Sequence, residues 1–251
     1  MAFIPIQDEN HHDTFPWLCI LVIALCCLAF GFQCMLAEEA VLRFYDAFAT
    51  IPVQLFGEVD GTNALPEWAT LFTSAFLHGD VIHLFGNMLF LWLFADNIEH
   101  AFGRFRFAVF YLLSAAITAW GAAAINPTQA IPSIGASGAI SAIIGAYFVL
   151  YPRAQVTVFY AWNIYMWGTT EIQAWNIMLF WFTLDIIGFA FTDRSLGGVS
   201  YEAHIIGFVL GVIFGRALRI NYSSYDEIWD GMTRIQRKIR TRRQELFGDD
   251  F

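Results

Sequence analysis

Charge is what this sequence has least of. Asp, Glu, Lys and Arg make up 14% of its 251 residues, where a soluble domain carries about 25%. Apolar side chains make up 58% and the mean hydropathy is +0.55, which excludes an ordinary soluble domain and leaves a membrane protein. Cysteine is scarce as well. Cys19, Cys26, Cys27 and Cys34 all fall in one apolar run, with no CxxC spacing and no histidine among them. That excludes a cysteine-based metal or redox centre, and the four are read as small packing residues. His11 and His12 form a pair without further ligands, so no metal is expected there. Basic residues are missing ahead of the first apolar run, which is itself too long for a cleaved signal peptide. Also missing is any internal repeat of the kind that marks many transporters.

What is present is a set of six apolar runs, at about 17–36, 80–95, 107–125, 136–151, 174–191 and 203–219. A membrane-spanning helix needs roughly 20 apolar residues. The expected fold is therefore an all-α, polytopic bundle of six transmembrane helices. Residues 1–16 are polar and acidic and are expected to lie loose; 17–219 form the membrane domain; 220–251 form a basic helical tail. In that tail Ile228, Met232, Ile235 and Ile239 mark one apolar stripe, suited either to anionic lipid headgroups or to a solvated charged helix. Arginine sets the orientation. Arg104, Arg106, Arg153 and the basic residues from Arg216 onward share one side, against Arg43 and Arg194 on the other. Both termini are expected in the cytoplasm, and the six-span length suggests a bacterial inner membrane. The connection 37–79 and the aromatic stretch 159–167 are read as interfacial segments, and Asp96 to Arg106 as a short turn.

The polar residues left inside the apolar runs carry the chemistry. Ser137 stands where the loop Pro132-Ser133-Ile134-Gly135-Ala136 turns into a helix of small residues. His83 and Asn87 are four apart and share one face of the second span. His78 lies one turn further out and braces the loop. His204 begins the sixth span, three residues before Gly207, and Gly207, Gly211 and Gly215 form a small-residue stripe. Span four has a matching stripe in Gly138, Ser141, Ala142, Gly145 and Ala146, and such stripes let two membrane helices approach closely. If the stripes face each other, serine and imidazole meet at one depth. A hydroxyl becomes a nucleophile when a neighbouring base takes its proton. The resulting intermediate needs donors aimed at its oxyanion, a role open to His83, Asn87 and the Ser137 N–H. Asp185, an acid within the fifth run, either assists the histidine, gates access, or is hydrated or bonded to another helix.

With Gly135-Ala136-Ser137-Gly138, His83-Leu84-Phe85-Gly86-Asn87 and Ala203-His204-Ile205-Ile206-Gly207 assembled in that order, the sequence resembles the rhomboid intramembrane serine proteases. The likeness runs over about 17–219. It implies a dyad of Ser137 as nucleophile and His204 as base and acid, with His83 and Asn87 in the oxyanion hole. It implies substrates that are single-span membrane proteins cut near the external face. The bilayer is the other expected partner; no metal, cofactor or nucleic acid is expected, and the oligomeric state is left open. Inactive relatives lack catalytic residues that this chain keeps. Two positions depart from the family pattern. Trp68 is followed by Ala69 rather than arginine, and Ser141 replaces an aromatic residue that stacks on the histidine. A scaffold or chaperone on the same bundle is the alternative reading, and a small-molecule transporter a more distant one.

Overall fold

The computed structural model describes residues 2–10, 15–57, 65–163, 166–193 and 197–221. Six long apolar helices build the bundle: α1 (Trp17–Cys34), α5 (Val81–Phe102), α6 (Arg104–Ile125), α7 (Ser137–Leu150), α8 (Ala174–Phe191) and α9 (Tyr201–Asn221). They correspond one to one with the six expected runs. Five have the length and apolarity to cross a bilayer. The exception, α7, has 14 residues and so spans only ~21 Å at 1.5 Å per residue. It is hydrophobic for another reason: it is the central helix, with ten of its residues buried against protein. The tail expected at 220–251 lies outside the described residues beyond Asn221, as does the His11–His12 pair.

The helix α7 packs most extensively against α9, and both run in the same direction. A methyl group on Gly211 would overlap the Ala142 carbonyl, one on Gly145 the Phe208 carbonyl, and one on Gly207 the Gly138 carbonyl. The two backbones are therefore in contact, as the small-residue stripes predict.

The start of α1 is anchored by a specific polar contact. Pro16 offers no side-chain cap to α1. Instead the Glu99 carboxylate of α5 accepts from the N–H groups of Leu18 (3.1 Å) and Cys19 (2.9 Å), satisfying donors that a helix start leaves open. This explains why 96–102 is helix rather than the expected turn: its polar residues are held by other elements. The turn into α6 is Gly103 alone, at φ 74°, a conformation that favours glycine.

The all-α expectation and the loose chain start are corrected at the end of the bundle away from Ser137. Residues Ala2–Asp8 are a strand, β1, not a loose segment, and the stretch after α7 is a hairpin of β2 (Gln155–Asn163) and β3 (Met166–Gln173). The sheet order is β1-β2-β3, antiparallel throughout. Alternate residues Val156 and Val158 are fully buried, the period of two that a half-buried strand requires. Pro5 has no N–H to give and sits on the edge strand β1. Below it, the Asp8 carboxylate accepts from Tyr147 Oη (2.8 Å), Asn97 Nδ2 (2.9 Å) and Asn10 Nδ2 (3.1 Å). A buried carboxylate with these donors pins the chain start to α5 and α7.

The connection 35–80 holds three short helices, α2 (Glu38–Phe48), α3 (Pro52–Leu55) and α4 (Glu67–Thr73), then a 3-10 turn at Ser74–Phe76. It lies at the Ser137 end and braces the loop described next.

Candidate active site

The loop before Ser137 is held by the connection preceding α5. Ser133 and Thr50 exchange backbone hydrogen bonds of 2.8 and 3.2 Å, and the Gly135 N–H donates to the Ser74 carbonyl at 2.9 Å. Thr50 is itself fully buried, its hydroxyl donating to the Thr70 carbonyl at 3.0 Å. Gly135 has φ +117°, so the residue type is set by the backbone. Space sets it too: a Cβ there would lie 2.7 Å from His83 Nε2 and 3.6 Å from Asn87 Nδ2. His83 and Asn87 thus both reach the serine loop.

Ser137 is the first residue of α7, and no side chain caps that helix. Its N–H is therefore one of the donors with no intrahelical partner, at the positive end of the helix dipole. On the facing helix, Asp80 caps α5 by accepting from the N–H groups of Ile82 and His83, both at 2.8 Å. Those two bonds hold the exposed Asp80 carboxyl below its ordinary range, the His83 N–H most, and they fix the backbone at His83. Asn87, one turn on, is 7% exposed and its Nδ2 has no hydrogen-bond partner among the described residues. A buried amide donor left open is costly unless something arrives to accept from it.

His204 follows from the register of α7 and α9. Gly207 meets Gly138 and Ser141, Gly211 meets Ala142 and Ala146, and Gly215 meets Ala146 and Val149. Stepping back one turn from Gly207 brings His204 level with the start of α7. Ser137, His204, His83 and Asn87, chosen from sequence spacing, therefore gather at one end of the bundle. His78 lies beside them, its ring 5.1 Å from that of His83.

Asp185 joins this group. Its Oδ1 is 2.9 Å from His204 Nδ1, so of the options open to it the acid bonds the histidine. Ser141 is 9% exposed and lies against Gly207, and the aromatic ring in contact with His204 is that of Tyr201, edge-on at 6.4 Å. The sequence signal for Asp185 was its isolation in an apolar run.

The arrangement supplies a hydroxyl at a helix start, an imidazole at its depth, and open donors nearby. It has the parts for acyl transfer. No group of three or more His, Cys, Asp or Glu suited to a metal occurs among the described residues.

Comparison with known proteins supports the family resemblance. The family profile of the Rhomboid domain matches residues 65–221. Similar proteins include Rhomboid protein 1, mitochondrial, of Saccharomyces cerevisiae, 29% identical over 152 residues, 57% of this chain and 39% of that protein. Putative rhomboid protease YdcA of Bacillus subtilis is 33% identical over 120 residues, 46% of this chain and 60% of that protein. Inactive rhomboid protein 1 of Homo sapiens is 24% identical over 240 residues, 88% of this chain and 26% of that protein. The chain spans less than two thirds of the length of each of these relatives.

Proposed function

The chain belongs to the rhomboid family, and from that premise we propose that it is an intramembrane serine endopeptidase. Ser137 Oγ attacks the scissile carbonyl while His204 takes its proton and later gives it to the leaving amine. His83, Asn87 and the Ser137 N–H stabilise the oxyanion. Substrates are single-span membrane proteins whose helix unwinds near the bilayer surface. The observation that carries this reading is the parallel register of α7 and α9, which sets His204 level with Ser137. The unpartnered Asn87 amide supports it.

The orientation belongs to the same proposal. Arg104, Arg106, Arg153 and Arg216 lie at the end away from Ser137, which supports both termini being cytoplasmic and the site opening to the opposite face; a bacterial inner membrane is proposed from the six-span length alone. Reporter fusions at each terminus test the orientation.

The activity is tested by fluorophosphonate labelling of the purified protein in bilayers, with Ser137→Ala and His204→Ala alongside. Labelling of the wild type that both substitutions abolish is expected. The second reading is a non-proteolytic scaffold, favoured by the 88% of this chain aligned with a protein named inactive. Wild type that neither labels nor cleaves a single-span reporter decides for the scaffold.

A further inference from the structure

Three layers of contact join α8 to α9, which run in opposite directions. At the Ser137 end a methyl on Gly188 would overlap the Tyr201 ring. One turn deeper Asp185 Oδ1 meets His204 Nδ1 at 2.9 Å. One turn deeper again Phe182 stacks on Phe208, with centroids 4.3 Å apart and planes 22° apart, and Phe208 in turn packs against Phe148 of α7. The steps of three on α8 and three to four on α9 are those of facing helices. The carboxylate and the imidazole are thus brought together by packing on both sides.

The environment makes the bond more than an accident of position. Asp185 is the one acid of α8, and its side chain is 22% exposed, that of His204 16%. A carboxylate inside a membrane helix is costly without a partner. The partner here is one specific ring nitrogen. An imidazole whose Nδ1–H is held by an acceptor carries its lone pair on Nε2, the nitrogen then free for the proposed proton transfer from Ser137. The aromatic support expected at position 141 is replaced by serine, and His204 is held instead by the edge of the Tyr201 ring at 6.4 Å and by Asp185.

We propose that Asp185 is a positioning residue for His204, turning the dyad into a serine–histidine–aspartate triad within the membrane. This rests on the proposed roles of Ser137 and His204. As Oγ bonds to the carbonyl carbon, its proton passes to Nε2. The Nδ1–H stays on the imidazole and the carboxylate stays ionised against it. The Nε2 proton then goes to the amine nitrogen as the C–N bond breaks, and water completes hydrolysis of the ester by the same route in reverse.

The test combines kinetics with a readout that needs no activity. Asp185→Asn, Asp185→Ala and Asp185→Glu are compared with wild type for cleavage of a single-span reporter in proteoliposomes. In a soluble triad, loss of the carboxylate costs about 10⁴ in kcat through the wrong tautomer. With this pair partly exposed, a fall of ~10- to 100-fold is expected for Asn and Ala. KM should stay within about twofold, melting temperatures should stay close to wild type, and Glu should recover part of the rate. In parallel, 15N-histidine spectra, with His204 assigned by difference from His204→Ala, should find the Nδ1–H tautomer in wild type and its loss in Asp185→Ala. Unchanged kcat in Asp185→Ala, or an Nε2–H tautomer in wild type, overturns the inference. A wild type that never labels defeats the protease reading instead, and the tautomer then decides the Asp185 contact on its own.

Discussion

Asn87 is 7% exposed, yet its amide nitrogen has no partner among the described residues. If the residue glued helices together, removing it would destabilise the bundle. If it waits for an oxyanion, removing it should cost rate alone, because deleting an unsatisfied buried donor is neutral or stabilising. Asn87→Ala is expected to lower kcat by ~10- to 100-fold, at or below the loss of one oxyanion donor elsewhere, since His83 and the Ser137 N–H remain. The melting temperature should hold or rise; a fall in melting temperature with kcat intact would favour the glue. His78 makes a different residue-scale statement. It is fully buried, with its ring 5.1 Å from that of His83. Burial, aided by neighbouring His83, pushes it from 6.5 down to about 4. Between those values the unfolded chain binds a proton that the folded chain refuses, so stability is complete above about pH 6.5 and falls as pH drops towards 4. Melting in detergent across pH 4.5–7.5 should show that fall, and His78→Gln should flatten it. An equal slope in both proteins would remove His78 from the account. Spacing and residue type made Ser137, His204, His83 and Asn87 legible in sequence. Asp185 was legible only as an acid out of place, because its partner depends on how α8 docks on α9.

The helices were readable because apolar length and small-residue stripes are local features. Gly207, Gly211 and Gly215 announce a close approach by themselves, and Gly138, Gly145 and Ala146 announce its other side. The strands were harder. Val156 and Val158 alternate correctly, but Phe159, Tyr160, Trp162 and Trp167 mimic an interfacial belt, and nothing local ties Phe3 or Ile4 to Tyr160 or Phe159 across more than 150 residues, as they pair here. The α7–α9 contact is the element on which the site depends, and it allows a sharp comparison between two glycines. A Cβ on Gly211 would strike the Ala142 carbonyl and come within 2.8 Å of Ala146 N, whereas a Cβ on Gly31 of α1 meets nothing within 4 Å. Gly211→Ala should therefore push the helices apart, costing roughly 1–3 kcal/mol as overpacking does. It should also move His204 away from Ser137. A misplacement of ~1 Å can cost ~10²-fold in rate. Gly31→Ala should leave both melting and labelling unchanged, or stabilise slightly through helix propensity. Two variants that behave alike would mean that the stripes are not in backbone contact.

At the scale of the molecule the two ends of α7 do different work. Ser137 opens the helix and Tyr147 lies near its close, ~15 Å apart by helix rise. At the Ser137 end polar groups are left open, as the unpartnered Asn87 amide illustrates. At the Tyr147 end they converge: Tyr147, Asn97 and Asn10 all donate to Asp8, and Glu99 closes the start of α1. Residues near the chain start thus lock the closed end, which composition alone described as a loose acidic segment. Asp8→Ala separates the two ends experimentally. It removes the acceptor for three donors, two of them from α5 and α7. Hydrogen bonds to a charged group are worth about 1.5–3 kcal/mol each. The variant should melt well below wild type, and amide exchange should quicken in β1 and in its partner β2. Fluorophosphonate labelling of Ser137, measured below the new melting point, should stay within about twofold, because no contact in the serine loop runs through Asp8. Labelling lost while exchange in β2 stays slow would mean that the locked end is coupled to the open one, and that α7 transmits between them rather than separating them.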